Sequence, residues 1–148
     1  MLGRLIGLDH GLSRIGVALS DASRLIATEH SIIVRQSKKE DFARLNDLAT
    51  REQAIGFVVG VPFSDAPPDV HTQADTVRLW IMRFAETTPL PVVEWDESLT
   101  SDDARELAKM QKRNLREPID DLAARLILQS YLDALRDGLA TLPQRNDK

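Results

Sequence analysis

The sequence contains no cysteine in 148 residues. This absence excludes disulfide bonds and thiolate metal sites, so any bound metal must be held by carboxylate, imidazole, amide or water ligands. Such a ligand supply favours hard, oxygen-loving cations.

Long apolar runs are also missing. The first residues, MLGRLIGLDHG, lack the apolar stretch of a signal peptide, and no run approaches the length of a membrane span. We therefore expect a cytoplasmic protein with no membrane partner.

The chain has no excess of positive charge, since its formal net charge is −4. A polyanion would be repelled at long range, which argues against a sequence-blind DNA coat protein. A local basic patch is still compatible with this charge. The densest positive run holds Lys109, Lys112, Arg113 and Arg116, and it is equally typical of a solvated helix end.

The composition is that of one folded domain, with 43% hydrophobic and 28% charged residues. We expect a domain over residues 1–138 and a polar C-terminal tail over residues 139–148. No internal repeat or linker divides the chain.

Hydrophobic periodicity predicts three strands, a helix, a strand, a helix, a strand and two further helices. This order indicates an α/β fold with a mixed sheet and helices packed on its faces. The predicted strands are 4–9, 15–20, 26–34, 56–61 and 92–96. The predicted helices run from the Ser37 cap to near Gly56, from Val70 to Phe84, from a Thr100 or Ser101 cap to Met110, and from Pro118 to Leu135.

Three acids stand at positions that favour a site. Active sites of open α/β sheets lie beyond the carboxyl ends of strands, where Asp9 and Glu97 fall. These two side chains converge if the first and last strands are neighbours. Asp120 joins them as a helix residue in register with an apolar stripe, whereas Asp121 is spaced to pair with Arg125.

Structural roles compete for the same residues. Asp9 can serve as a turn residue, Asp120 can favour the positive end of a helix dipole, and His10 is typical of a solvated turn histidine. Three converging carboxylates would instead repel one another unless a cation neutralised them. Two Mg²⁺ or Mn²⁺ ions could then activate water and stabilise the leaving oxygen of a phosphodiester.

Four segments resemble the YqgF family. They are GLDHGLSRIGVALSD at 7–21, VVGVP at 58–62, DESLTSDDA at 96–104 and IDDLAARLILQSYLD at 119–133. The resemblance implies an RNase H-like fold with a five-stranded mixed sheet, three antiparallel strands followed by two parallel ones. It also implies a nuclease that matures the 5′ end of pre-16S rRNA or, alternatively, a resolvase that cuts Holliday junctions as a dimer.

The resemblance assigns roles to individual residues. The catalytic and metal-binding acids of the family correspond to Asp9, Glu97 and Asp120. The residues that would contact nucleic acid are Arg14, Lys109, Lys112, Arg113 and Arg116. The protein would act as a monomer or a homodimer. The chain departs from the family at Ser98, where arginine is usual, and at residues 64–68, where SDAPP replaces an N-x-D-G stretch.

Two other classes fit parts of the sequence. A D-x-G turn after a first strand also occurs in actin-like and sugar-kinase ATPases, but their nucleotide cleft normally requires a much longer chain. A noncatalytic nucleic-acid-binding module is disfavoured by the presence of all three acids.

Overall fold

A computed structural model describes residues 3–97, 101–114 and 116–144. Five strands form one mixed sheet in the order β3-β2-β1-β4-β5. β1 pairs antiparallel with β2 and parallel with β4, and β5 continues the parallel half. The strands are β1 Arg4–His10, β2 Arg14–Ser20, β3 Ala27–Val34, β4 Ala54–Pro62 and β5 Val92–Glu97. The predicted sheet is confirmed.

Four helices are described. They are α1 Lys38–Arg51, α2 Gln73–Ala85, α3 Ser101–Met110 and α4 Asp120–Arg136. Ser37 caps α1 as predicted, its side chain accepting from the Glu40 backbone N–H. The alternative α3 cap, Thr100, lies outside the described residues.

Three helix boundaries differ from the prediction. α1 ends at Arg51, not near Gly56, because Gln53 turns the chain with a φ of 55° into β4. α2 begins at Gln73, not Val70, because Thr72 and Asp75 form a reciprocal capping box. Pro118 precedes α4, whose N-cap is Ile119.

The two faces of the sheet bury different cores. One face packs on α1 and α2 through Phe42, Phe57, Trp80 and Phe84. The other packs on α4, with Leu5 and Val58 of the sheet against Leu128, Tyr131 and Leu132. Strand alternation sends Leu5, Gly7 and Asp9 of β1 towards α4 and Ile6, Leu8 and His10 towards α1 and α2.

Close contact between α4 and the sheet depends on Gly16. A Cβ at this position of β2 would overlap the main-chain carbonyl of Asp120. Gly16 is also the register partner of Asp9. The absent side chain therefore lets the first turn of α4 rest beside the end of β1.

The chain after α4 turns back onto the domain. Ala140 packs against the α4 core, and the Tyr131 hydroxyl donates to the Thr141 carbonyl. Residues 139–144 thus contact the predicted domain, and residues 145–148 lie outside the described part. No helix among the described residues is long and apolar enough to cross a membrane.

Candidate active site

The three predicted acids meet at the α4 face of the sheet. Asp9 lies near the end of β1, Glu97 ends β5, and Asp120 begins α4. The first and last strands are not neighbours, since β4 lies between them, so the condition named for the convergence of Asp9 and Glu97 is not met. Glu97 still shares the α4 face with Trp95, whose ring packs on Tyr131.

The electrostatics of Asp9 show how near these acids lie. Burial, followed by the charges of Glu97 and Asp120, raises the pKa of Asp9 to about 7. Burial also raises the pKa of Glu97. Both carboxyls therefore resist ionisation unless positive charge is brought to them.

Arg14 supplies positive charge at one of the acids. Its Nε donates to Asp120 Oδ2 at 2.7 Å. The two side chains are 46% and 23% exposed, respectively. Arg14 is thus held at the acid cluster by a contact that faces solvent.

Asp121 belongs to a separate network. Arg113 donates to both of its carboxylate oxygens at 2.9 Å. The predicted pair of Asp121 with Arg125 is wrong, because Arg125 donates to Glu29 of β3 at 3.1 Å. Glu29 Oε2 also accepts from Gln111 Nε2 at 2.5 Å and lies 3.8 Å from Arg113 Nη2. The network therefore ties the segment after α3 to both β3 and α4.

Comparison with known proteins identifies the family. The model of the family described as "RuvX: Holliday junction resolvase" matches residues 3–134, which include all three acids. The chain belongs to the RuvX family. This confirms the resemblance found in the sequence and makes the chain a member of a nuclease family.

Relatives of this RuvX protein support the assignment over nearly its whole length. A protein from Thermoanaerobacter pseudethanolicus is 36% identical over 138 residues, covering 90% of this chain and 99% of the relative. One from Rhodopseudomonas palustris is 41% identical over 140 residues, covering 90% and 83%. Both carry the name pre-16S rRNA nuclease.

Solved structures confirm the fold. Thermus thermophilus RuvC in complex with Holliday junction substrate superposes with a TM-score of 0.63 at 15% identity, covering 96% of this chain and 99% of that one. The Fowlpox virus resolvase in complex with Holliday junction DNA gives 0.53 at 13% identity, covering 91% and 99%. At such identities the likeness shows the fold alone.

The basic segment of this RuvX chain lies beside the acid cluster. α3 packs on α4 through Ala104, Ala108 and Leu122, which brings the end of α3 to the first turn of α4. Lys109, Lys112 and Arg116 are exposed. Arg113 differs from them, since its guanidinium binds Asp121 and Glu29.

His10 is not the solvated turn residue that the sequence indicated. It ends β1, is buried, and its ring lies 4.9 Å from that of Trp80. Burial and then the Arg35 charge lower its pKa to about 4. The structure therefore places His10 in the core behind the sheet, facing away from Asp9.

The oxygen atoms of the three acids are suitable ligands for a hard cation, although the acids do not surround a common point. Asp9, Glu97 and Asp120 offer only carboxylate oxygens and crowd their negative charges, which is the chemistry that Mg²⁺ or Mn²⁺ neutralises. Among the described residues, no group of three or more His, Asp or Glu side chains is positioned to hold a metal ion. The bond from Arg14 occupies one oxygen of Asp120.

Sequence reasoning missed the Arg113, Glu29 and Gln111 contacts, because these residues are distant in sequence and only the fold joins them. A usable signal was present at Gly16. A glycine inside a strand indicates a bulge or a close backbone approach. Here it marks the contact between β2 and α4 that places Asp120.

Proposed function

We propose that this RuvX protein is a divalent-metal-dependent endonuclease of the cytoplasm that matures the 5′ end of pre-16S rRNA. The observation that carries the proposal is the placement of Asp9, Glu97 and Asp120 at one face of the sheet, where the charges of Glu97 and Asp120 help to raise the pKa of the partly buried Asp9. The names of relatives at 36% and 41% identity support the choice of substrate.

The three acids would hold Mg²⁺ or Mn²⁺, which when bound supplies an activated water and stabilises the leaving oxygen. Rigid elements fix the carboxylates, since Asp9 and Glu97 belong to strands and Gly16 seats the α4 turn that carries Asp120. Arg14 binds Oδ2 of Asp120, so Oδ1 could hold the cation while this bond persists. The Arg14 guanidinium would then stand beside the cation, where it could also meet the substrate phosphate.

The basic segment would bind the nucleic-acid backbone. Lys109, Lys112 and Arg116 are exposed beside α4, and such contacts carry affinity without reading sequence. Arg113, the fourth predicted contact, would act by holding this segment against Asp121.

Cleavage of four-way DNA junctions is the second candidate. The description of the matching family favours it. A resolvase makes paired cuts and should act as a symmetric dimer, whereas a monomer suffices to trim RNA.

A side-by-side cleavage assay separates the candidates. Precursor 16S rRNA and a four-way DNA junction would be incubated with the protein and Mg²⁺, Mn²⁺ or EDTA, with the mass in solution measured in parallel. We expect RNA cleavage with either metal and none with EDTA. Selective junction cutting by a dimer would overturn the RNA assignment, and full activity in EDTA would overturn the metal requirement.

A further inference from the structure

The loop after β4 presents an aromatic side chain to solvent. Phe63 follows the last residue of β4 and is 80% exposed. This loop is also where the chain departs from the family, with SDAPP at residues 64–68. Pro62, Pro67 and Pro68 each fix a backbone φ, which limits the conformations of the loop.

A cleft of about 410 Å³ lies beneath this loop. Apolar atoms come from Phe63, Pro67 and Val70, and polar groups come from Ser64, Asp75 and Asp96. A planar ligand could therefore stack on the aromatic ring while its edge meets hydrogen-bonding groups.

The cleft and the acid cluster lie on opposite faces of the sheet and come near each other at the ends of β4 and β5. Pro62 pairs in register with Glu97, and Val61 pairs with Asp96. Because side chains alternate along β5, Glu97 faces the acids while Asp96 faces the cleft. Neighbouring strands lie about 4.8 Å apart and successive Cα atoms about 3.8 Å apart, so the Phe63 and Glu97 backbones are within about 9 Å. Adjacent nucleotides of one strand can bridge such a distance.

The charges of the cleft select against a phosphate. Asp75 and Asp96 are exposed acids at its wall. The cation that lines it, Arg78, has its Nε 3.2 Å from Glu94 Oε1. A neutral, flat group is therefore favoured over an anion at this position.

We infer that the Phe63 cleft is a subsite for an unstacked nucleobase next to the scissile phosphate. The inference rests on the proposed nuclease function and extends it. A base can enter the cleft only when it has left its own stack, so the subsite favours substrates that are single-stranded at the cut.

Equilibrium binding without divalent metal tests the subsite separately from cleavage. The probe is single-stranded oligoadenylate of about eight nucleotides, a length within the usual site sizes of single-strand binders. Phe63→Ala should weaken binding roughly 5- to 150-fold, the range for removing one base-stacking aromatic. Phe63→Trp should restore it. The matched control is Leu139→Ala, which is also 80% exposed and lies on the segment after α4.

Fluorescence gives a second readout. Trp80 and Trp95 also emit, so each variant is compared with wild type. We expect the oligonucleotide to quench the emission of Phe63→Trp more than that of wild type, and that of Leu139→Trp no more than that of wild type. A probe of abasic nucleotides should bind wild type and Phe63→Ala with equal, weak affinity, because neither complex can then stack a base.

Wild-type affinity in Phe63→Ala, or unquenched emission in Phe63→Trp, would overturn the subsite. Both measurements omit metal, so the two failures can be told apart. A failure of the cleavage assay alone would overturn the proposed function, and with it the scissile phosphate, but not the binding of a base in the cleft.

Discussion

Two successive aspartates begin α4, and their surroundings differ. Asp120 forms one 2.7 Å bond to the half-exposed Arg14 at the edge of the acid cluster. Asp121 forms two 2.9 Å bonds to Arg113, and the side chains of that pair are only 10% and 20% exposed. A single, solvated bond can be exchanged for a ligand, whereas a bidentate and largely buried pair fixes the backbone. Two adjacent residues of the first turn of α4 thus differ in role: Asp120 lies at the proposed metal site, and Asp121 supports the structure.

Asp120→Asn should show the largest effect. The change removes a charge from the proposed metal site, where it would contribute several kcal/mol to the transition state, so we expect cleavage to fall roughly a thousandfold. The melting temperature should stay close to that of wild type. Rates of RNA cleavage at saturating Mg²⁺ provide the measurement. Asp47→Asn, an exposed change on α1, is the matched control. Near-normal cleavage by Asp120→Asn would remove this residue from the site.

Asp121→Asn should have the opposite effect to Asp120→Asn, lowering stability more than cleavage. Breaking a buried ion pair typically costs roughly 3–5 kcal/mol, and partial exposure of Arg113 reduces our expectation to about 2–3 kcal/mol of unfolding free energy. Arg113→Gln should cost a similar amount, and the double variant should cost little more, because both changes break one interaction. Urea unfolding of the four proteins measures this coupling.

Salt dependence shows whether Arg113 also touches nucleic acid. Loss of one phosphate contact lowers the slope of log K against log salt by about 1. We expect that reduction for Lys112→Gln and an unchanged slope for Arg113→Gln. A reduced slope in Arg113→Gln would return it to the set of phosphate contacts.

The sequence could indicate Asp9, Glu97 and Asp120 as candidate site residues because each has a local signature. Asp9 and Glu97 stand at strand ends, and Asp120 lies in register with an apolar helical stripe. The sequence could not predict that β4 separates β1 from β5, since strand order depends on tertiary packing. The bond from Arg113 to Asp121 was missed for a related reason. The two residues are eight apart and face each other only because the chain turns between α3 and α4.

Small differences in the boundaries of the strands explain two other wrong predictions. β1 extends by one residue beyond the prediction, and alternation then turns His10 into the core instead of leaving it in the turn. Gly56 marked the predicted boundary between the first helix and strand 56–61, yet β4 already begins at Ala54 and Gly56 is buried inside it. Glycine alone does not distinguish a helix terminus from a closely packed strand.

Stabilisation by bound metal also distinguishes Asp120 from Asp121, with a smaller expected effect. Ligand at ten times its Kd should raise the free energy of unfolding by about 1.4 kcal/mol. We expect this gain from Mn²⁺ in wild type and in Asp121→Asn, but not in Asp9→Asn or Asp120→Asn. Thermal unfolding with and without Mn²⁺ measures it. An equal gain in Asp9→Asn would show that the cation binds elsewhere.

Asp9 and His10 extend the comparison to the end of β1, where successive residues face opposite sides of the sheet. The pKa of His10 is about 4 in the folded protein and about 6.5 in an unfolded chain, so the unfolded state binds more protons between these values. In EDTA, the contribution of His10 to the free energy of unfolding should therefore fall as the pH drops from 6.5 to 4, by less than about 1.4 kcal/mol per pH unit. Asp9 contributes with the opposite sign, because its pKa is raised to about 7 and the folded state binds the extra proton over nearly the same range. His10→Phe keeps an aromatic ring against Trp80 and removes the titrating group. The variant should therefore gain stability relative to wild type as the pH drops from 6.5 to 4, as urea unfolding at each pH would measure. A difference between the two proteins that does not change with pH would assign the protons to other residues.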